Sequence, residues 1–255
     1  KNIDIPSTVE KIGTTAFQGS SIITANINAS TMGRYVFLNA TSLEKVIIGE
    51  NVTSLGLDSF SNCSKLDDLT ILTEKADINN YVLDTTVNLK EIKVNKENSK
   101  YMVEDGILFS KDGSKIYAYP TGKVEDTYKI PSNVKEVGNS AFYGCRSLKN
   151  IDIPSTVEKI GTTAFQGSSI ITASINASTM GRYVFFNATS LEKVIIGENV
   201  TSLGGDSFSN CSKLKSINYL GTMDEWNGTL GKTSSWKNGN TSIKKIICSD
   251  GEITL

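Results

Sequence analysis

The stretch Lys1-Asn2-Ile3-Asp4-Ile5-Pro6 recurs as Lys149-Asn150-Ile151-Asp152-Ile153-Pro154, and the match runs without a gap to Leu66 and Leu214. Across the two blocks three aligned pairs differ: Asn26/Ser174, Leu38/Phe186 and Leu57/Gly205. Chance does not produce this, so the chain carries a duplication at a shift of 148 residues. A shorter period lies inside each block. Strand-like segments end at Ile5, Ile27, Ile48 and Ile71, then at Ile130, Ile153, Ile175, Ile196 and Tyr219, 21 to 23 residues apart within each series. A phenylalanine keeps step at Phe17, Phe37 and Phe60, and again at Phe142, Phe165, Phe185 and Phe208. Such a period predicts a solenoid, because a unit this short buries its apolar face only against its neighbours.

One unit shows how the coil is built. In Leu43-Glu44-Lys45-Val46-Ile47-Ile48, the residues Leu43, Val46 and Ile48 hold the first, fourth and sixth places and are expected to point into the spine. Glu44, Lys45 and Ile47 then face the other side, by strand alternation. Gly49-Glu50-Asn51 turns the chain, Val52, Leu55 and Phe60 return along the opposite wall, and Asn62-Cys63-Ser64-Lys65 turns it again toward Leu66.

The segments AFYGCRSLKNIDIPSTVEKIG (141–161), SFSNCSKLKSI (207–217), YMVEDGILFSKDGSKIYAYPTG (101–122), YLGTMDEWNG (219–228) and IICSDGEITL (246–255) resemble the BspA-type leucine-rich repeats of bacterial and protozoan surface proteins. The resemblance covers essentially the whole chain. It implies a secreted or surface-anchored protein linked to adhesion, with a host matrix protein, another cell-surface protein or a glycan as partner. It brings no catalytic motif with it. The pattern is least regular at 73–98, where YVLDTTVNLKEIKV (81–94) keeps the strand but lacks the phenylalanine.

The expected fold class is therefore an α/β solenoid: a leucine-rich repeat superhelix with a short-strand parallel sheet, little helix and a β-hairpin insertion. The expected organisation is a single solenoid over 1–255, with repeats at 1–98, a β-hairpin insertion at 99–129, repeats at 130–219 and a C-terminal cap at 220–255. The insertion is read from short strands at Tyr101–Val103, Ile107–Ser110 and Lys115–Tyr119, with Asp105-Gly106 and Asp112-Gly113 as tight-turn signals between them. It is expected to project from the solenoid. The cap holds Trp226 and Trp236, with Ile243, Ile246 and Ile247, and would cover the open face of the last coil. No comparable cap precedes Lys1, where the chain opens in mid-pattern without Met; the expectation is a mature or truncated chain.

Composition narrows the function. The formal net charge is −1, which gives no long-range field to gather nucleic acid. No apolar run approaches the ~20 residues that membrane insertion by a helix needs. Histidine is absent, which removes the commonest general base and the commonest metal ligand together. Cys63, Cys145 and Cys211 hold one repeat position, filled by Ala40, Thr86, Ser168 and Ala188 in other coils; Cys248 lies in the cap. Whole coils separate the first three, too far for a disulfide, and no Cys-x-x-Cys is present. They read as small buried thiols. The acidic pairs Asp67-Asp68, Glu104-Asp105 and Asp224-Glu225 read as solvated charge, since adjacent residues on a strand point apart and a solenoid face offers no cleft. The Asn-x-Ser/Thr sites at Asn28, Asn39, Asn51, Asn62, Asn176, Asn187, Asn199 and Asn210 recur with the repeat and read as turn residues, because Asn tolerates left-handed backbone. No metal, cofactor or catalytic residue is expected, and the chain is not expected to be an enzyme.

The surface left to carry function is the strand face. Its candidate ligand-binding residues are Glu44, Lys45 and Ile47; Asp67, Asp68 and Thr70; Lys90, Glu91 and Lys93; Lys149, Asn150 and Asp152; and Glu192, Lys193 and Ile195. Lys1, Asn2 and Asp4, Ile23, Thr24 and Asn26, and Ile171, Thr172 and Ser174 share the same positions. The hairpin tyrosines Tyr117 and Tyr119 are a second candidate surface, or else pack on the solenoid. Two roles fit this reading. One is an extracellular or cell-surface adhesion module; the other is a spacer or stalk in a larger surface protein, which a duplication that adds length would serve.

Overall fold

A computed structural model of the chain describes residues 1–76, 78, 86, 88–232 and 235–255. The chain divides into two compact units, Lys1–Lys123 and Val124–Leu255. Each is a β-solenoid of short parallel strands.

In the first unit, β1 (Asn2–Ile5), β2 (Lys11–Ile12), β3 (Thr24–Ile27), β4 (Thr31–Met32), β5 (Lys45–Ile48), β6 (Asp68–Ile71) and β7 (Glu91–Val94) follow in chain order. The four-residue strands β1, β3, β5, β6 and β7 form one parallel sheet in that order. Their registers are unbroken: Ile5 lies beside Ile27, Ile27 beside Ile48, Ile48 beside Ile71 and Ile71 beside Val94. The expected strand ends are thus in place. A second, minor ladder runs down another wall, where β2 pairs with β4 and Thr31 bridges Ser54.

Hydrophobic burial explains why the coil closes as it does. Leu43, Val46 and Ile48 are fully buried, as are Val52 and Phe60 on the returning wall. The phenylalanines form a stack, with ring centroids 5.2 Å apart between Phe17 and Phe37 and 5.6 Å between Phe37 and Phe60. Each ring sits between two left-handed residues, two places before it and two after: Tyr35 and Asn39 about Phe37, Asp58 and Asn62 about Phe60. This double reversal turns backbone donors toward the next coil. Phe17 N–H donates to Val36 O at 2.8 Å and Phe37 N–H to Ser59 O at 2.8 Å, a further ladder along the turn wall.

The stretch after β7 corrects an expectation. β8 (Tyr101–Glu104), β9 (Ile107–Ser110) and β10 (Lys115–Ala118) form an antiparallel meander with left-handed turns at Asp105-Gly106 and at Gly113. It does not project. Tyr101, Leu108 and Ala118 join the buried core of this unit, because one face of the meander is apolar and closes onto it. Ile92 N–H donates to Gly106 O at 3.0 Å, and the Tyr101 hydroxyl donates to Ala76 O at 3.0 Å while accepting from Ile78 N–H at 2.9 Å. Of the irregular coil at 73–98, residues 77, 79–85 and 87 lie outside the described residues.

The second unit begins with β11 (Thr127–Lys129), inside the stretch expected to belong to the insertion. β11 is a solenoid strand: Thr127, Tyr128 and Lys129 pair in parallel with Asn150, Ile151 and Asp152. There follow β12 (Glu136–Val137), β13 (Asn150–Ile153), β14 (Lys159–Ile160), β15 (Thr172–Ile175), β16 (Thr179–Met180), β17 (Lys193–Ile196), β18 (Ser216–Tyr219), α1 (Met223–Gly228), β19 (Lys245–Cys248) and β20 (Gly251–Thr254). The main sheet runs β11-β13-β15-β17-β18-β19 in parallel, and β20 adds antiparallel to β19. The phenylalanine stack reappears with spacings of 4.8, 5.0 and 5.7 Å through Phe142, Phe165, Phe185 and Phe208. Trp236 meets Phe208 edge-on at 6.1 Å and Trp226 at 5.9 Å, so two large buried rings end the stack. α1 is fixed by a capping box between Thr222 and Glu225. Beyond it, helix among the described residues amounts to two three-residue 3-10 turns.

Candidate functional site

The side chains on the outer face of each parallel sheet stand in straight rows, because parallel strands in unbroken register place like positions side by side. In the first unit one row is Asn2, Thr24, Lys45, Asp68 and Glu91, and the other is Asp4, Asn26, Ile47, Thr70 and Lys93. Glu44 and Asp67 sit just before their strands, where Glu44 N–H donates to Ile23 O and Asp67 N–H to Glu44 O. Glu44, Lys45, Asp67, Lys90, Glu91 and Lys93 are exposed; Ile47, Asp68 and Thr70 are half-buried. In the second unit Lys149, Asn150, Asp152 and Ile195 are half-buried, and Glu192 and Lys193 are exposed. The sequence-derived residues therefore fall into two groups, one on each unit's sheet. Ile23 and Ile171 add an exposed apolar side chain to each.

Charge on the first sheet is internally matched. Asp68 lies 3.1 Å from Lys45 and 3.1 Å from Lys93, which also reaches Glu91 at 3.1 Å. Partial burial pulls the Asp68 carboxyl upward, but hydrogen bonds from Lys93 and Lys45 outweigh it and hold the group below its ordinary value. The Lys93 ammonium is held above its own by Glu91 and Asp68. Exposed pairs like these contribute little to stability and weaken in salt, so the row is a patterned surface before it is a brace. At its edge Glu44, Lys65, Asp67, Asn88 and Lys90 line a shallow open groove of about 340 Å³.

Three other sequence-derived groups have structural roles. Cys63, Cys145, Cys211 and Cys248 are free and buried. Burial pushes the Cys63 thiol up to about 12 against a weaker downward pull from the Ala40 backbone, and Cys211 to about 12 against that of Ala188; burial alone raises Cys145. The Cys63 thiol donates to Phe37 O at 3.2 Å and Cys211 to Phe185 O at 3.1 Å. A thiol raised this far is no nucleophile at neutral pH. Native protein at pH 8 is expected to leave Cys63, Cys145 and Cys211 unreacted with a thiol reagent, and all four thiols are expected to titrate in denaturant. Fast labelling of the native chain at Cys63, Cys145 or Cys211 would contradict the packing. The linkage has a definite sign. The unfolded thiol ionises near its ordinary 9.0 and the folded one near about 12, so this contribution is complete below pH 9.0 and is lost as pH rises toward 12.

The sequon asparagines serve the turns. Asn39, Asn62, Asn187 and Asn210 have φ of 59 to 61°. Asn62 Nδ2 donates to Asn39 Oδ1 at 3.0 Å, and Asn51 donates through both its backbone N–H and its Nδ2 to Asn28 Oδ1 at 3.2 Å, so the side chains link successive coils. Of the hairpin tyrosines, Tyr119 is buried and Tyr117 packs edge-on against Tyr101 at 5.3 Å, so the rings brace the meander.

Sequence reasoning missed a set on the second sheet. Ile195 lies beside Asn218, which places Ser216 beside Lys193, while Ser216 and Asn218 pair with Lys245 and Ile247. Lys215 and Lys244 are exposed in the position before these strands, with Lys244 N–H donating to Lys215 O at 2.9 Å. The signal was present: Ile243-Lys244-Lys245-Ile246-Ile247-Cys248 repeats the spacing of Leu43 to Ile48. Reading the segment as a cap hid a further coil. Among the described residues no helix is long and apolar enough to cross a membrane.

Comparison with known proteins agrees with the geometry. A search of curated proteins gave no match. Among solved structures, the pneumococcal vaccine antigen PcpA superposes with a TM-score of 0.69 at 23% identity, over 98% of this chain and 68% of that one. A leucine-rich repeat protein from Eubacterium ventriosum gives 0.52 at 18% identity, over 89% of this chain and 81% of that one. Both likenesses are of fold. The profile of the BspA type leucine rich repeat region matches in six copies over residues 1–104 and 114–230, and the chain belongs to that family.

Proposed function

We propose that the chain is a non-enzymatic extracellular or cell-surface recognition module that binds a protein or glycan through the outer faces of its parallel sheets. The observation that carries this is the register itself. Five strands in the first unit and six parallel strands in the second present mixed-charge rows with exposed isoleucines on a backbone already fixed by the buried stack. A surface ordered before it meets a ligand loses little entropy on binding, and extended faces are where repeat proteins engage partners. Host matrix proteins, other surface proteins and glycans are the partner classes that the family resemblance implies.

The test is capture of the purified chain on an array of matrix proteins and glycans, beside a variant carrying E44K, K45E, E192K and K193E. A ligand lost by the folded variant, with at least a tenfold weaker Kd, supports the strand face; a ligand held equally by both rejects it. The spacer reading has its own support in the matched charges Lys45, Asp68, Lys93 and Glu91, which neutralise one another. Removing residues 67–214, one whole period, separates the readings. A spacer shortened by that length loses reach in its parent protein but no ligand, whereas a recognition module loses affinity.

A further inference from the structure

The two sheets share a duplicated block but not their charge. The blocks end at Leu66 and Leu214, and the next outward positions diverge. In the first unit they are Asp67 and Asp68, then Lys90, Glu91 and Lys93. In the second they are Lys215, Ser216 and Asn218, then Lys244, Lys245 and Ile247. The consequence is clearest at one lysine present in both copies. Lys45 is held 3.1 Å from Asp68, whereas Lys193, its counterpart, lies beside Ser216. Among the described residues, the carboxylates in ion pairs at this end of the second sheet are Glu192, 3.0 Å from Lys213, and Glu252, 2.8 Å from Lys245. Lys193, Lys215 and Lys244 are exposed, and among the described residues none lies in an ion pair.

We propose that these three lysines form a binding site for an anionic polysaccharide on the second sheet, a site the first sheet lacks. Lys193 opens β17, and Lys215 and Lys244 come one position before β18 and β19, so the three lie at the same end of three successive strands spaced about 4.8 Å apart. Flexible ammonium groups spread across the ends of neighbouring strands match a linear chain of sulfate or carboxylate groups better than a compact anion. Ile195, Asn218 and Ile247 run parallel to these lysines and offer apolar and hydrogen-bonding contact to sugar rings. The site depends on the strand-face reading and deepens it for one unit.

The experiment measures binding of the full chain to heparin, with neutral dextran as control. Two charge-reversal triples are compared: K193E/K215E/K244E on the second sheet and K45E/K90E/K93E on the first. Heparin Kd is expected to rise at least tenfold in the first triple and less than twofold in the second. The salt dependence of binding should also become shallower in the first triple, since fewer counterions are released. K193R/K215R/K244R keeps the charge and is expected to bind normally, which separates loss of charge from loss of fold. Equal losses in both triples, or no heparin binding by the intact chain at physiological salt, would overturn the site. Duplex DNA bound as tightly as heparin, with the same losses, would overturn the glycan assignment. A chain that captures a protein on the matrix array through its strand face, yet ignores heparin, overturns the polysaccharide site and leaves the broader function standing.

Discussion

Phe165→Ala is expected to destabilise the second unit by about 4 kcal/mol, while the same change at Phe17 costs the first unit about half as much or less. The two phenylalanines occupy matching places in the duplicated block, with identical neighbours in sequence from 149 to 173 and from 1 to 25. Their surroundings differ. Phe165 is fully buried between two rings, Phe142 at 4.8 Å and Phe185 at 5.0 Å. Phe17 is half-buried and stacks on Phe37 at 5.2 Å. Truncating Phe165 leaves a cavity walled on both sides by rings that cannot close it without breaking the ladder in which Phe165 N–H donates to Val184 O. Truncating Phe17 leaves a notch that water can fill. Both tryptophans lie in the second unit, so Trp emission in a urea titration follows that unit alone, and far-ultraviolet dichroism follows the whole chain. A shift in the midpoint of the Trp transition for Phe165→Ala, with Phe17→Ala leaving it in place, is the expected pattern. Equal losses from the two variants would mean that stacking against neighbours is not what holds the coils.

Much of this architecture could be read from spacing alone. The strand ends, the phenylalanine column and the buried cysteine column depend only on the period, and any residue out of step would leave a void or a clash. The asparagines after the phenylalanines were legible for a similar reason, since Asn is a residue that takes φ near 60° at little cost. Two places before each phenylalanine the backbone does the same with Thr15, Tyr35, Asp58, Ser140, Thr163, Tyr183 and Asp206. Nothing in their side chains announces it, and for threonine and tyrosine the conformation is strained. The compensation is non-local: Thr163 N–H donates to Arg182 O at 2.9 Å and Tyr183 N–H to Gly205 O at 3.0 Å, both in the next coil. The meander was legible as strands and turns but not in its placement, because an apolar face on three short strands does not say which core it closes on. The candidate site divides the same way. Alternation gives which side chains face out, whereas the pairing of Lys45 with Asp68 depends on register between coils 23 residues apart.

Gly204→Ala is expected to cost about 3 kcal/mol and to shift the Trp-detected transition accordingly, even though it adds a single methyl group. A Cβ at Gly204 would lie 2.0 Å from Gly181 O in the preceding coil, and one at Gly56 would lie 1.9 Å from Gly33 O. Neither carbonyl can retreat, because each also accepts a hydroxyl, Ser207 at 3.0 Å and Ser59 at 3.1 Å. These glycines are required by contact between coils, since their φ values lie outside the left-handed region. Gly13 and Gly161 supply the control, being the same residue of the duplicated block. A Cβ at Gly161 would meet Asn139 N at 2.5 Å, whereas at Gly13 nothing lies within 4 Å. Gly13→Ala is therefore expected to stay within about 0.5 kcal/mol of the parent and to favour folding slightly, since alanine restricts the unfolded chain. Gly161→Ala should behave like Gly204→Ala. If all three alanines proved neutral, the coils would have to tolerate wider spacing than the hydrogen bonds between them allow. The rows of the strand face, whose alignment rests on that spacing, would then lose their claim to be a rigid surface.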